Sequence, residues 1–377
     1  AVASKRVIVV ASGVITATVF ALSLFIGEVA IRAIHLMRDG IPFFESPAGR
    51  IGPIMLDQEL GWRATADYEE SLTQRTKGGV SYRIHRSQHK YGFRQFGNLR
   101  ANKPKLLVIG DSFTQATAVS DDKTYYAVLG KLLDVEVFAY GAGGYGTLQE
   151  YMILDRYVDE IRPDLILWQF CVNDFINNDN ALERASTINN NGMLRPYWEK
   201  NTIAYLSPKP TGQQIREWIN HHSRFLYFLV SRVDRLRAVT NHDSVETLID
   251  AQGFKHEGFS HAVQVTDDLM KRVRTRTGSI PIVAFSCADE QPYSDAFAMI
   301  STHYGIEYWN DVAAAVQQAA AHGEDVETAD DHWNEAGHRL AAASLADHLL
   351  RSGFVMAGRS RRHVDINSPT TSRAVSR

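Results

Sequence analysis

Residues 106–115 read LLVIGDSFTQ, an apolar run that stops at Gly110 and opens onto a polar turn centred on Ser112. A short continuous apolar run bounded by a turn is the pattern of a strand buried on both faces. Ser112 then stands at the carboxyl end of that strand, where an open α/β sheet presents its ligands. Working outward, the same grammar repeats: KLLVIG, VEVFAY, DLILWQF, IPIVAF and IEYW are short apolar runs. Between and after them lie helix-length stretches, near Lys123 to Leu133, Thr147 to Asp159, His261 to Thr275, Tyr293 to His303, and from Asn334 to about Leu350. Strands alternating with helices imply parallel pairing through right-handed crossovers. The expected fold is α/β, a three-layer α/β/α sandwich around a mainly parallel sheet.

The bulk numbers exclude little else. The chain of 377 residues can bury one large core. A net charge of −3, with both signs interspersed, gives no reason to expect nucleic acid. Cys171 and Cys287 are the two cysteines, each in or beside an apolar run. The expectation is two buried free thiols, with no disulfide framework and no zinc site.

The N-terminal segment is more telling, because Val7 to Gly27 carries no charged residue. As a helix it would span roughly 30 Å, the thickness of a hydrocarbon core. No clean small-x-small cleavage site precedes Glu28, so residues 1–27 read as an uncleaved membrane anchor. Residues 28–103 mix Pro, Gly and charge, and read as a membrane-proximal linker and irregular lead-in. The main domain is expected over 104–351, interrupted at about 177–260 by an Asn-rich stretch and an amphipathic helix near Gln213 to Arg237. That insertion reads equally as a substrate wall and as a packed appendage. Residues 352–377 are polar, basic and aperiodic, and read as a disordered tail.

The residues after the apolar runs form a coherent set. Gly110-Asp111-Ser112 closes the first run, Gly141 to Gly146 come after the second, and Asn173-Asp174 after the third, while Asp330, Asp331 and His332 precede the final helix. A serine nucleophile needs a base, the base an orienting acid, and the tetrahedral oxyanion needs donors. The order supplies all three. GAGGYG lacks the following Lys-Ser/Thr of a phosphate loop and the spacing of a dinucleotide fingerprint, so no nucleotide or other cofactor is expected. His332 and His338 are six apart and would not share a helical face, so no metal is expected, and His338 is expected on the helix surface. Trp333 and Tyr145 flank this set, as contacts for a sugar ring or acyl group or as core.

These four blocks resemble those of the SGNH (GDSL-type) hydrolase family, through Gly110-Asp111-Ser112, Gly144, Asn173-Asp174 and His332, over about residues 104–351. The resemblance implies a flavodoxin-like fold with Ser112 as nucleophile and His332 as general base. It implies an oxyanion hole of the Ser112 and Gly144 backbone N–H groups and the Asn173 side-chain amide. One position departs from the family pattern, since Ala329 occupies the place three before the histidine where the triad acid usually stands. In an extended segment Asp330 shares a face with His332 and Asp331 does not, so Asp330 is expected as the acid.

The implied activity is ester hydrolysis through an acyl-enzyme on Ser112, acting on an O-acyl ester such as an acetyl group of a carbohydrate or lipid. By the same resemblance the domain is expected outside the cytoplasm, in the periplasm, held by residues 7–27. The partners expected are an ester substrate, such as an acylated glycan, and the membrane, but no nucleic acid; oligomeric state is left open. Two other readings use the same residues: an O-acyltransferase modifying a polysaccharide, and an envelope-binding domain without catalysis.

Overall fold

The computed structural model describes residues 2–39, 42–44, 53–186, 188–207, 215, 218, 219, 222–240 and 244–353. The chain begins with helix α1 (Val2–Asp39), followed by strands β1 (Ile54–Asp57), β2 (Gly61–Ala64), β3 (Tyr68–Arg75), β4 (Ser81–Gln88) and β5 (Gln95–Phe96). Then come β6 (Lys105–Gly110), α2 (Ser112–Gln115), α3 (Tyr125–Leu133), β7 (Glu136–Gly141), α4 (Thr147–Ile161) and β8 (Leu165–Phe170). Next is α5 (Asn173–Asn178), and the insertion holds α6 (Asn180–Ala185), the hairpin β9 (Arg195–Glu199) and β10 (Thr202–Leu206), α7 (Arg224–Thr240) and α8 (Val245–Gln252). The domain closes with α9 (Glu257–Thr277), β11 (Ile282–Ser286), α10 (Tyr293–His303), β12 (Glu307–Trp309), α11 (Asp311–Ala321) and α12 (Glu335–Arg351).

The main sheet has the order β12-β11-β8-β6-β7-β5, parallel throughout except for the short antiparallel edge strand β5. Successive side chains of a strand face opposite ways, and here both faces are apolar. Leu107, Ile109, Phe138, Trp168 and Ala284 pack on one side with α4, α9 and α10 residues such as Leu154, Met270 and Phe297. Leu106, Val108, Val137, Leu167 and Phe285 pack on the other with α3, α11 and α12 residues such as Leu129, Val316 and Leu345. Covering helices on both faces explain why the strands read as unbroken apolar runs. The three-layer mainly parallel sandwich is the fold the sequence pattern indicated.

Two regions differ from their sequence reading. The lead-in is not irregular where it is described: β3 and β4 pair over their full length, and β5 pairs with β7. The alternation was hidden because β3 is polar or half-buried at every position. Buried Arg94 donates to the carbonyls of Ser87 (3.0 Å), Gln115 (3.1 Å) and Val119 (2.7 Å) and pairs with Asp121, stitching this region to the loop after α2. Cys171 and Cys287 are also not free thiols but a disulfide, with Cα atoms 5.3 Å apart. They are separated by 116 residues, yet each directly follows one of two adjacent parallel strands, β8 and β11, whose last paired residues are Phe170 and Ser286. Strand adjacency is a tertiary fact, so spacing in the sequence does not show the pair.

Helix α1 contains a stretch, Ala11–Met37, long and apolar enough to cross a membrane, exposed over its first part and with none of its residues fully buried. It runs past Gly27 without a break. The expected amphipathic helix of the insertion is described as α7; residues 208–214 before it, and the tail from 354 onward, lie outside the described residues.

Candidate active site

The serine, the glycine loop, the asparagine and the histidine all stand at the carboxyl edge of the parallel sheet, each on the segment after a strand or before the last helix. Ser112 opens α2 behind β6. Asp111 caps that helix, its carboxylate accepting from Phe113 N–H at 3.0 Å. The first N–H groups of a helix have no acceptor within it, and the Ser112 N–H has none among the described residues.

Ser112 Oγ lies 2.8 Å from His332 Nε2. The imidazole packs against the Phe113 ring, with centroids 4.8 Å apart. Its Nδ1 is 3.1 Å from the backbone oxygen of Asp330 and 3.6 Å from that residue's carboxylate. The carboxylate also accepts from the Thr328 hydroxyl. Burial opposes charge on the His332 ring, but the hydrogen bond and charge of Asp330, together with the Asp111 charge, hold its pKa above the ordinary 6.5. Reciprocally, the His332 ring and Thr328 hold the Asp330 carboxyl well below the usual carboxylate range.

The segment before His332 is not extended. Thr328 N–H donates to His332 O at 2.8 Å and Asp331 N–H to Thr328 O at 3.1 Å, closing a tight turn in which Asp331 takes φ +63°. The left-handed conformation swings Asp331 outward to Lys77 Nζ at 2.7 Å, in the β3–β4 turn, and leaves Asp330 beside the imidazole. Asp330 is therefore the nearer acid for a reason other than strand alternation.

Gly144 has φ +73°, and a Cβ there would fall 2.2 Å from the Asn191 amide nitrogen. Backbone conformation and the insertion wall thus demand glycine. Its N–H has no acceptor among the described residues. Neighbouring Gly143 lies against Ser112, where an added Cβ would be 3.8 Å from that of the serine. The loop is clamped from both sides: Gly143 N–H donates to Gln115 Oε1 at 2.9 Å, and Trp62 Nε1 donates to Gly143 O at 3.1 Å. Asn173 opens α5, and its side-chain amide donates to Asn177 Oδ1 at 3.1 Å. Asn177 in turn donates to Asn189 O at 2.8 Å.

Three fully buried acids lie behind this surface. Burial pushes Asp111 up, against the Phe113 N–H, the His332 charge and the Gln169 and Asn173 side chains. Burial, with the charges of Asp174 and Asp111, pushes Glu150 well above the carboxylate range, and burial with the Asp111 charge does the same to Asp174. Asp174 turns inward, accepting from Cys171 N–H at 3.0 Å, and so shapes the Asn173 turn rather than facing the site. Among the described residues no group of His, Cys, Asp and Glu side chains is arranged to hold a metal ion.

One expectation changes, and one pair of open readings is decided. His338 is not on the helix surface: it is buried, accepts from Tyr125 N–H at 3.1 Å and stacks on that ring, and burial pushes its pKa down to about 3. Trp333 and Tyr145 are both core residues, 3% and 0% exposed. Trp62, Gln115, Lys77, Asn177 and Asn191 were not marked in the sequence, because each acts through a contact across the fold and not through a local motif.

Among solved structures, the lipase/acylhydrolase from Enterococcus faecalis is 12% identical, with 68% of this chain and 100% of that chain covered and a TM-score of 0.38. A catalytic mutant of the acetylxylan esterase Axe2 from Geobacillus stearothermophilus is 14% identical (68% and 98% covered, TM-score 0.35). The acetyl xylan esterase Est2A from Butyrivibrio proteoclasticus is 10% identical (82% and 98% covered, TM-score 0.38). No curated protein matches. The model of the GDSL-like lipase/acylhydrolase family matches residues 106–345, from the strand before Ser112 into the helix after His332, and with more than half of its length matched the chain belongs to that family.

Proposed function

We propose that this ester hydrolase works through an acyl-enzyme on Ser112, with His332 as general base, Asp330 as its orienting acid, and an oxyanion hole of the Ser112 and Gly144 N–H groups and the Asn173 amide. The observation that carries the reading is the 2.8 Å contact between Ser112 Oγ and His332 Nε2, with a Gly144 N–H that has no acceptor among the described residues. Ser112 Oγ attacks the ester carbonyl carbon while its proton passes to His332 Nε2. The carbonyl oxygen, now negative, accepts from the three donors, Asn173 exchanging Asn177 for the substrate. Collapse breaks the ester C–O bond, and His332 returns the proton to the departing alcohol. Water then attacks the acyl carbon with His332 again taking the proton, and the acid leaves as Ser112 is reprotonated. Donors aimed at developing negative charge supply the largest share of such catalysis.

The substrate we infer is a short O-acyl ester of a carbohydrate or other hydroxyl-rich alcohol. Asn173, Asn177, Asn189 and Asn191 form a polar wall beside Gly144, suited to hydroxyl groups. We also infer an uncleaved anchor in α1 and a catalytic domain outside the cytoplasm. Two observations support this placement. Glu28, within the unbroken helix α1, accepts from Ser223, Arg224 and Phe225 of the insertion, and the Cys171–Cys287 disulfide is of a kind that persists in oxidising compartments.

The test is turnover of short-chain aryl esters and acetylated glycans by the protein and by Ser112→Ala and His332→Ala. Each variant should lose nearly all turnover, and the double variant should be scarcely worse, because members of a triad act as one unit. Full turnover by Ser112→Ala would remove the nucleophile from this reading. Free acid exceeding acylated glycan when acceptor sugars are added separates hydrolysis from acyl transfer.

A further inference from the structure

Helix α7 carries apolar side chains that are well exposed among the described residues. Leu229, Val233 and Leu236 are 39%, 47% and 64% exposed, at the i, i+4, i+7 spacing of one helix face. Tyr227 and Phe228 beside them are 55% and 37% exposed, and Arg232 lies over the Phe228 ring, 5.0 Å from its centroid. Soluble domains rarely leave so continuous an apolar surface in water without a function for it.

The cover for this face is indicated by the contacts of its first turn. The Glu28 carboxylate of α1 accepts from Arg224 N–H at 3.1 Å and Phe225 N–H at 2.9 Å, taking the place of a cap for α7, and is paired with Arg32 at 2.6 Å. The Phe225 ring lies on Gly27 so closely that a Cβ there would meet it at 2.6 Å. Up to Gly27 the helix α1 is uncharged from Val7, and Phe20, Phe25 and Ile26 are more than half exposed. Glu28 and Arg32 are the first charges after that stretch, so they mark the level at which the anchor leaves hydrocarbon. The exposed apolar surface of α1 and that of α7 meet at this level.

We propose that α7 is a membrane-surface helix, lying in the lipid interface beside the anchor and fixing the catalytic domain at a set height and orientation over the bilayer. This rests on the reading of α1 as an anchor. Apolar and aromatic residues on one face with arginines at its edge are the composition of helices that lie in the headgroup region. The sequence RFLYFLVSRVDRLRAVT holds four arginines against a single acid, Asp234, and of these Arg232 lies over the Phe228 ring. An anionic lipid leaflet matches that charge.

The experiment uses the full chain reconstituted in vesicles of phosphatidylcholine and phosphatidylglycerol. Because the native cysteines are bonded to each other, Val233→Cys can be labelled selectively with an environment-sensitive fluorophore, with Lys131→Cys as the control on the catalytic domain. Turnover of a soluble aryl ester verifies that each variant is folded. The proposal requires the Val233 label to emit at shorter wavelength in vesicles and to lose most of its emission when acyl chains carry a spin label, while the Lys131 label is unmoved. A chain that floats with the vesicles but whose Val233 label stays water-exposed overturns the proposal and leaves the anchor intact. A shielded label that lipid quenchers do not reach, with cross-linking between copies through Val233→Cys, overturns it in favour of a second chain. Failure to float at all removes the anchor and the proposal together.

Discussion

The imidazole of His332 turns Nε2 to Ser112 Oγ at 2.8 Å and Nδ1 to Asp330, whose backbone oxygen at 3.1 Å is nearer than its carboxylate at 3.6 Å. Losing a triad acid costs about 10⁴-fold in rate where the carboxylate is the sole partner of Nδ1. Here the backbone oxygen continues to hold the ring after Asp330→Asn, so kcat should fall substantially but by less than that. Asp331→Asn should leave kcat close to wild type, since Asp331 points to Lys77. The pH profile supplies an independent check. A general base works only when neutral, and the folded pKa of His332 is raised, so kcat/KM should be full above that pKa and be lost as pH falls through it. The acid limb should therefore lie above pH 6.5 and move to lower pH in Asp330→Asn, because the charge that favours the imidazolium is gone. A larger loss in Asp331→Asn, or an acid limb unmoved by Asp330→Asn, would reverse the assignment.

At the scale of elements, the glycine loop after β7 keeps its shape through contacts made by strands that precede the matched family region. Trp62 on β2 donates to Gly143 O, and its own carbonyl accepts from Tyr145 OH at 2.6 Å. Gln149 on α4 donates to Leu60 O at 2.7 Å. The β3–β4 turn braces the other half of the site, with Lys77 N–H donating to Glu327 O at 2.8 Å and Thr76 bridging Thr328. Tyr82 and Arg86 of β4 donate to Ala118 and Thr117 carbonyls just beyond α2. Trp62→Phe keeps most of the buried volume and deletes one donor. A buried hydrogen bond contributes about 0.5–1.5 kcal/mol, and orphaning its partner costs about 1–3 kcal/mol. The expected outcome is a lowered kcat with KM little changed and a modest fall in Tm, because the loop bearing the Gly144 N–H loses one of its two clamps. Steady-state kinetics on a soluble aryl ester, with thermal unfolding alongside, checks this; a change confined to KM would mean that Trp62 shapes the substrate site instead.

Across the whole molecule, one covalent tie joins the centre of the sheet to its outer half. The Cys171–Cys287 bond closes a segment that includes the entire insertion, and Cys171 lies two residues before Asn173. Removing a native disulfide typically costs about 2–5 kcal/mol. Cys171→Ser with Cys287→Ser should lower Tm and also reduce kcat, as the turn presenting the Asn173 amide loses its tether. The wild-type protein exported from the cytoplasm should show no free thiol when denatured without reductant. Two free thiols in the active, exported protein would contradict the pairing.

The parallel sandwich and the order of Ser112, Gly144, Asn173 and His332 could be read from the chain alone, because a strand buried on both faces must be apolar along its length and because each candidate follows such a strand or precedes a capped helix. The long uncharged segment before Glu28 was equally visible, as hydropathy is a property of composition. Other features depend on which segments meet. The disulfide needed β8 beside β11, the outward turn of Asp331 needed a closed turn anchored by Thr328, and the burial of His338 needed α3 laid against α12. The polar strands β3 and β4 carry little apolar signal of their own, and their place in the structure comes from hydrogen bonds to the loops that bear the serine and the histidine. Local pattern determines which segments can be strands or helices; only packing decides which side chains, distant in the chain, come within bonding distance.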